Sequence, residues 1–218
     1  MVETSWISIQ EPGVLEQAAE QLLQGDLVAF PTDTVYGVGA HGFLEKAVAH
    51  LYRVKQRPVR LPVPLLLADA HELEAVCAEI PAVAWEIAEH YWPGGLSLVL
   101  RRTRAVPEAV TAGGPTVAVR VPDHPHIQEL CRRIGAPLAA TSANLHGQPA
   151  PVTADHVQAM LGGCIPLLLD GGACPGGAAS TVLDLTVWPP AILRAGPVTA
   201  EQLADLVPLA PTKTSSLA

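Results

Sequence analysis

The residues of this chain best suited to chemistry are cations that lack acids beside them. The stretch "YRVKQRPVR" holds Arg53, Lys55, Arg57 and Arg60, and no carboxylate lies between Glu45 and Asp69. Pro58 disfavours the helical region for Arg57 and favours an extended backbone. In extended chain Lys55 and Arg57 point to the same side. Two cations on one face without local acids form an anion site more naturally than a salt-bridge ladder. Arg120 stands inside the apolar run "TVAVRV", and Arg194 inside "AILRAG". A buried arginine needs a partner, which is either an internal acid such as Asp184 or a bound anion.

Hydroxyls and amides collect where runs of apolar residues end. "FPTDTVYG" places Thr32, Asp33, Thr34 and Tyr36 after one such run. "AATSANLHGQPAP" places Ser142 and Asn144 two apart after another. Ser180 and Thr181 follow the glycine-rich "DGGACPGGAA". Strand ends are favoured ligand positions in α/β sheets, and the hydroxyl and amide of Ser142 and Asn144 suit a nucleotide or phosphate. The familiar catalytic signatures G-x-x-x-x-G-K-[ST], G-x-S-x-G and H-E-x-x-H are all missing, which argues against a P-loop, a nucleophile elbow or a zinc protease helix. "GVGAHG" at 37–42 does fit G-x-G-x-x-G. It does not leave its strand directly, and no acid stands near position 60, where the ribose partner belongs. Its glycines are expected to turn the backbone tightly before a helix that starts near Phe43.

Composition bounds the rest. The chain has 218 residues, 49% of them hydrophobic and only 4% aromatic, so the core is expected to be aliphatic. A net charge of −8 argues against a surface built to coat nucleic acid. Cysteines 77, 131, 164 and 174 have no C-x-x-C spacing and read as reduced thiols. "HPH" at 124–126 is the only close pair among eight scattered histidines, and no protein metal site is expected. The N-terminus has neither a basic nor an apolar leader region, and no run reaches a membrane span; a cytoplasmic protein is expected.

The elements that must position these residues alternate. "WISI", "LVAFP", "VPLLLAD", "LSLVLRR", "TVAVRV", "PLAATS", "IPLLLD", "STVLDLT" and "AILRAG" read as strands. "GVLEQAAEQLLQG", "LEKAVAHLYRVK", "AHELEAVCAEI", "AVAWEIAEHYW" and "HPHIQELCRRIG" read as helices, as do the segments after Thr153 and Thr199. Asp69, Asp123, Thr153 and Thr199 are expected caps, with capping-box spacing at Asp69/Glu72 and Thr199/Gln202. Strands outnumber βαβ units, so the expected fold is α/β with a mixed, twisted sheet and flanking helices. One domain is expected over residues 1–208, with 209–218 a frayed tail.

Taken in order, "FPTDTVYGVGA", "KQRP", "WPGGLSLVL", "VAVRVPDHP", "TSAN" with "GQPAPVTA", and "GGAASTVLDL…ILRAGPV" resemble the YrdC-like family of threonylcarbamoyl-AMP synthases. The resemblance spans roughly residues 7–207, and K-x-R with a later S-x-N is its signature. It implies a twisted sheet around a deep, positively lined cleft. It implies that L-threonine, bicarbonate and ATP become threonylcarbamoyl-adenylate and pyrophosphate, for the threonylcarbamoyladenosine of tRNA. It names Thr32, Tyr36, Arg120, Ser142 and Ser180 for threonine, with Lys55, Arg57, Thr116, Asn144, Val152 and Arg194 for ATP. Lys55, Arg57, Ser142 and Asn144 form the catalytic set, and Mg²⁺ comes with ATP. The downstream partners are tRNA and a threonylcarbamoyl-transferase complex. Gly95, Ser97, Leu61, Leu66 and Val152 depart from residues common in the family, and the length matches its short, single-domain form. Two other readings remain: an RNA-binding module of the same fold without catalysis, and a carbamoyltransferase-type relative.

Overall fold

The computed structural model describes residues 2–175 and 179–211. The last seven residues of the expected tail lie outside them. Eleven strands form one mixed sheet in the order β1-β9-β2-β3-β8-β4-β7-β6-β10-β11, with β5 paired to the far end of β6. In chain order these are β1 (Ser5–Ser8), β2 (Val28–Phe30), β3 (Gly37–His41), β4 (Leu65–Leu66), β5 (Cys77–Ala78), β6 (Leu96–Arg102), β7 (Thr116–Arg120), β8 (Leu138–Ser142), β9 (Leu167–Asp170), β10 (Thr181–Asp184) and β11 (Ala191–Arg194). β1–β9–β2, β4–β7 and β6–β10 pair in parallel, and the other pairs along that order are antiparallel. The helices are α1 (Val14–Gln24), α2 (Glu45–Val54), α3 (Leu73–Val76), α4 (Ala82–Tyr91), α5 (Glu108–Thr111), α6 (Pro125–Ile134), α7 (Ala154–Leu161) and α8 (Ala200–Ala204). None is long and apolar enough to cross a membrane among the described residues.

Strand periodicity sorts the core into two layers. Leu27, Ala29, Val38, Ala40, Leu96, Leu98, Val117, Val119 and Leu183 pack on one face with residues of α2, α4 and α7. Val28, Phe30, Leu66, Leu138 and Ala140 pack on the other with α1 and α6. Those two helices touch each other and cover the half of the sheet from β9 to β8. Among the described residues no such helix cluster covers the β7–β6–β10–β11 half of that face, and there the sheet itself forms the floor of a cleft. This half-covered sheet is what creates a site.

Several local expectations change. Of the glycines of "GVGAHG", Gly42 does turn the chain ahead of α2, but Gly37 and Gly39 lie inside β3, antiparallel to β2. A Cβ on either would stand 2.9 Å from the Phe30 ring, so the glycines make room for an aromatic side chain that is fully buried. "AHELEAVCAEI" is not one helix but a short 3₁₀ turn, α3 and then β5. Glu72 there bonds the Ala68 N–H rather than closing a capping box. His124, not Asp123, stands at the N-cap position of α6, and its side chain makes no capping bond. The Thr153 cap and the Thr199/Gln202 capping box are present.

Candidate functional site

The cleft has a volume of about 320 Å³ and is walled by strand ends and loops. Its polar lining comprises Arg57, Arg120 and Arg194 with the hydroxyls of Thr32, Thr34, Ser97, Thr141, Ser142 and Ser180. Leu66, Ala118, Ala140 and Val182 supply its apolar floor. No carboxylate lines it among the described residues.

Arg120 is held in place by three bonds. Its Nε donates to the Gly94 carbonyl at 2.7 Å, one Nη to Thr34 Oγ1 at 3.1 Å, and the other to Asp33 Oδ1 at 2.6 Å. The internal acid is therefore Asp33, not Asp184, which instead accepts from Thr186. Three of the five guanidinium N–H groups are engaged, which leaves two for a ligand. Burial pushes Arg120 below the usual arginine range, and the Asp33 charge opposes that shift. The hydroxyls behind it run in one direction. Thr34 accepts from Arg120, lies 2.9 Å from Thr32 Oγ1, and Thr32 donates to the Val35 carbonyl.

On the opposite wall Arg194 donates from Nε to the Ser180 carbonyl and from Nη2 to Ser180 Oγ. Ser180 Oγ lies 2.9 Å from Ser97 Oγ. Burial and the neighbouring Arg120 charge both lower Arg194, so these two like charges face one cavity. Arg57 donates to the carbonyls of Leu61 and Pro62, and burial lowers it as well. Arg120 has Asp33 as its counter-charge, but Arg57 and Arg194 bond no carboxylate among the described residues, and guanidinium groups so placed are most stable when an anion joins them.

Five expected site residues lie elsewhere. Lys55 and Arg57 do not share a side: Lys55 is the helical C-cap of α2, and Gln56 at φ 52° turns the chain between them. Arg57 reaches the cleft, whereas Lys55 is 1% exposed and donates to the carbonyls of Ser142 and Asn144 and to Asn144 Oδ1. Asn144 is buried in the same knot. Tyr36 is also fully buried, and its hydroxyl donates to the Gly172 carbonyl at 2.7 Å and accepts from the Gly171 N–H. It braces the base of the loop that carries Ser180 and does not line the cleft. Thr116 shares the strand face of Ala118 and Arg120 but lies beyond the lining. Val152 bonds through its carbonyl to the Cys174 N–H and is not among the lining residues. Thr32, Arg57, Arg120, Ser142, Ser180 and Arg194 do come together.

Asp33, Thr34 and Ser97 were not assigned roles from the sequence. Strand alternation in "LSLVL" carries a signal for Ser97, since it sets that residue opposite Leu96 and Leu98. Asp33 is the one acid of "FPTDTVYG". Nothing local ties it to an arginine 87 positions away.

Comparison with known proteins gives a consistent picture. The family profile Sua5_yciO_yrdC, described as Telomere recombination, matches residues 20–196. A threonylcarbamoyl-AMP synthase of Pyrococcus abyssi is 42% identical over 190 residues, covering 87% of this chain and 56% of that protein. One from Bacillus subtilis is 41% identical over 205 residues, covering 94% of this chain and 59% of the relative. The chain thus spans less than three fifths of the length of these two relatives. The structure of P. abyssi Sua5 complexed with L-threonine superposes with a TM-score of 0.90 at 38% identity, covering 97% of this chain and 63% of that one.

Proposed function

From the premise that this chain belongs to the Sua5/YciO/YrdC family, we propose that it forms threonylcarbamoyl-AMP and pyrophosphate from L-threonine, bicarbonate and ATP. The observation that carries this reading is the convergence of Arg57, Arg120 and Arg194 on one hydroxyl-lined cleft without a lining carboxylate among the described residues. All the substrates are anionic or carry a carboxylate, and the intermediate is a carbamate.

The threonine amine bonds to the carbon of bicarbonate, the C–OH bond breaks, the oxygen leaves as water with the amine's proton, and a carbamate remains. A carbamate oxygen then bonds to the α-phosphorus of ATP as the bond to the bridging oxygen breaks, and pyrophosphate leaves. Such a transfer needs positioning and charge stabilisation rather than a protein nucleophile. The two free N–H groups of Arg120 suit the threonine carboxylate, with Thr32 and Ser180 beside it. Arg57 and Arg194 suit the ATP phosphates. Three guanidinium groups and hydroxyls suit phosphate oxygens better than a bare cation, so Mg²⁺ is proposed to be carried by the phosphates. It would supply further charge neutralisation there. The product is proposed to pass, in the cytoplasm, to the enzymes that place the group on tRNA.

Pyrophosphate release with threonine and bicarbonate each omitted in turn tests the reading. Release should require both and be abolished in Arg57→Ala. Release that persists without threonine but needs carbamoyl phosphate would replace this reading with the carbamoyltransferase one. Salt-sensitive RNA binding with no turnover would replace it with the binding module.

A further inference from the structure

The site contains a buried cation for which the proposed chemistry has no use. Lys55 is 1% exposed, does not line the cleft, and bonds no carboxylate among the described residues. An ammonium in such a place costs several kcal/mol unless all its protons are bonded. Here three acceptors match its three protons: Ser142 O, Asn144 O at 2.5 Å and Asn144 Oδ1 at 3.1 Å. None is left for a ligand.

Asn144 is equally committed. Its Oδ1 accepts from Lys55 and from Ser142 Oγ at 2.5 Å, and its Nδ2 donates to the Gln148 carbonyl. The reversed amide would aim an NH₂ at the ammonium and an oxygen at a carbonyl, so the orientation is fixed by its neighbours. Backbone bonds pin the same segment from two further sides, His146 N–H to Lys55 O and Ala143 N–H to Tyr36 O.

Ser142 is the one member of the knot that lines the cleft. Its proton points to Asn144, so its oxygen offers the cleft only lone pairs. A phosphate oxygen is an acceptor too, and two acceptors do not bond. We propose that Lys55 and Asn144 are positioning residues rather than ATP ligands, and that they hold Ser142 as an acceptor for an N–H or O–H donor of the substrate. Within the adenylate-forming reading above, on which this identification rests, the donor is the threonine amine or a hydroxyl of the ATP ribose. Burial and the Arg57 charge push Lys55 down to about 7, so the fully protonated brace belongs to the pH range below that.

The test uses the full chain with tripolyphosphate, L-threonine and adenosine as probes, in the pH range where Lys55 is protonated. Side-chain ¹⁵N spectra of the lysines should show a Lys55 ammonium signal that tripolyphosphate leaves in place. By calorimetry, Ser142→Ala should weaken threonine (amine donor) or adenosine (ribose donor) by about fivefold, the worth of one hydrogen bond. It should bind tripolyphosphate as the wild type does, while Arg57→Ala loses it. Lys55→Met should show the same selectivity if its circular dichroism is native; Ser142→Ala decides the matter if it is not. A Lys55 signal that moves with tripolyphosphate would overturn the proposal. So would Ser142→Ala weakening tripolyphosphate as Arg57→Ala does, or binding threonine and adenosine unchanged. An absence of pyrophosphate release from the wild type would sink the proposed reaction instead, and the spectra and tripolyphosphate arms would still decide this one.

Discussion

Removing Asp33 is expected to cost this protein both stability and substrate affinity. The Arg120–Asp33 contact is 2.6 Å, with side chains 7% and 16% exposed. Deleting one partner of a buried pair costs about 3–5 kcal/mol, mostly because the other charge is left uncompensated. Arg120 keeps its bonds to Gly94 O and Thr34 Oγ1, so the lower end, about 3 kcal/mol, applies to Asp33→Ala. At ~2–4 °C per kcal/mol for a chain of this size, the melting temperature should fall by ~6–12 °C. Urea denaturation should give the same loss at an unchanged m-value. The affinity for threonine should fall with it, because the guanidinium loses the bond that aims it. The decisive comparison is Asp33→Ala with Arg120→Met, which removes both charges and keeps apolar bulk. That double variant should be more stable than Asp33→Ala alone. A melting temperature within about 2 °C of wild type, or losses that add within about 0.5 kcal/mol, would show that the pair is not the anchor of Arg120.

Three other outcomes follow from the geometry. Gly39→Ala should lose about 1–3 kcal/mol in chemical denaturation, because the new Cβ stands 2.9 Å from Phe30 Cε1; a second change, Phe30→Leu, should recover part of it. Tyr36→Phe should lose about 1–2 kcal/mol, since its hydroxyl bonds Gly171 N and Gly172 O, and the KM for threonine should rise because Ser180 stands on that loop. Lys55 has a folded pKa of about 7 against about 10.4 unfolded. Between these values the unfolded chain binds the extra proton, so stability rises with pH. Cys77 and Cys131, both pushed up to about 12 by burial, act oppositely once unfolded thiols ionise near about pH 8.5. From about pH 7 to about 8.5, wild type should therefore gain up to ~1.4 kcal/mol per pH unit relative to Lys55→Met. Parallel stability curves for the two proteins would refute this.

The amino-acid sequence carried the alternation that sorts Leu27 and Ala29 from Val28 and Phe30, and with it the sheet and its two layers. It also carried the arginines that no local acid could neutralise, and the hydroxyls at the strand ends. These features are local: a period of two and the absence of a neighbour can be read along a chain. The partition of the K-x-R pair was not legible, because it turns on one residue, Gln56, adopting a positive φ that nothing in "VKQRPV" demands. That turn sends Arg57 into the cleft and Lys55 into the protein, where it meets Ser142 and Asn144 almost ninety positions away. Asp33 was legible as a residue but not as the partner of Arg120, since β7 reaches the β2–β3 loop only through the assembled sheet. The cleft itself belongs to the tertiary structure. It exists because α1 and α6 cover half of one face, and which half they cover depends on the strand order.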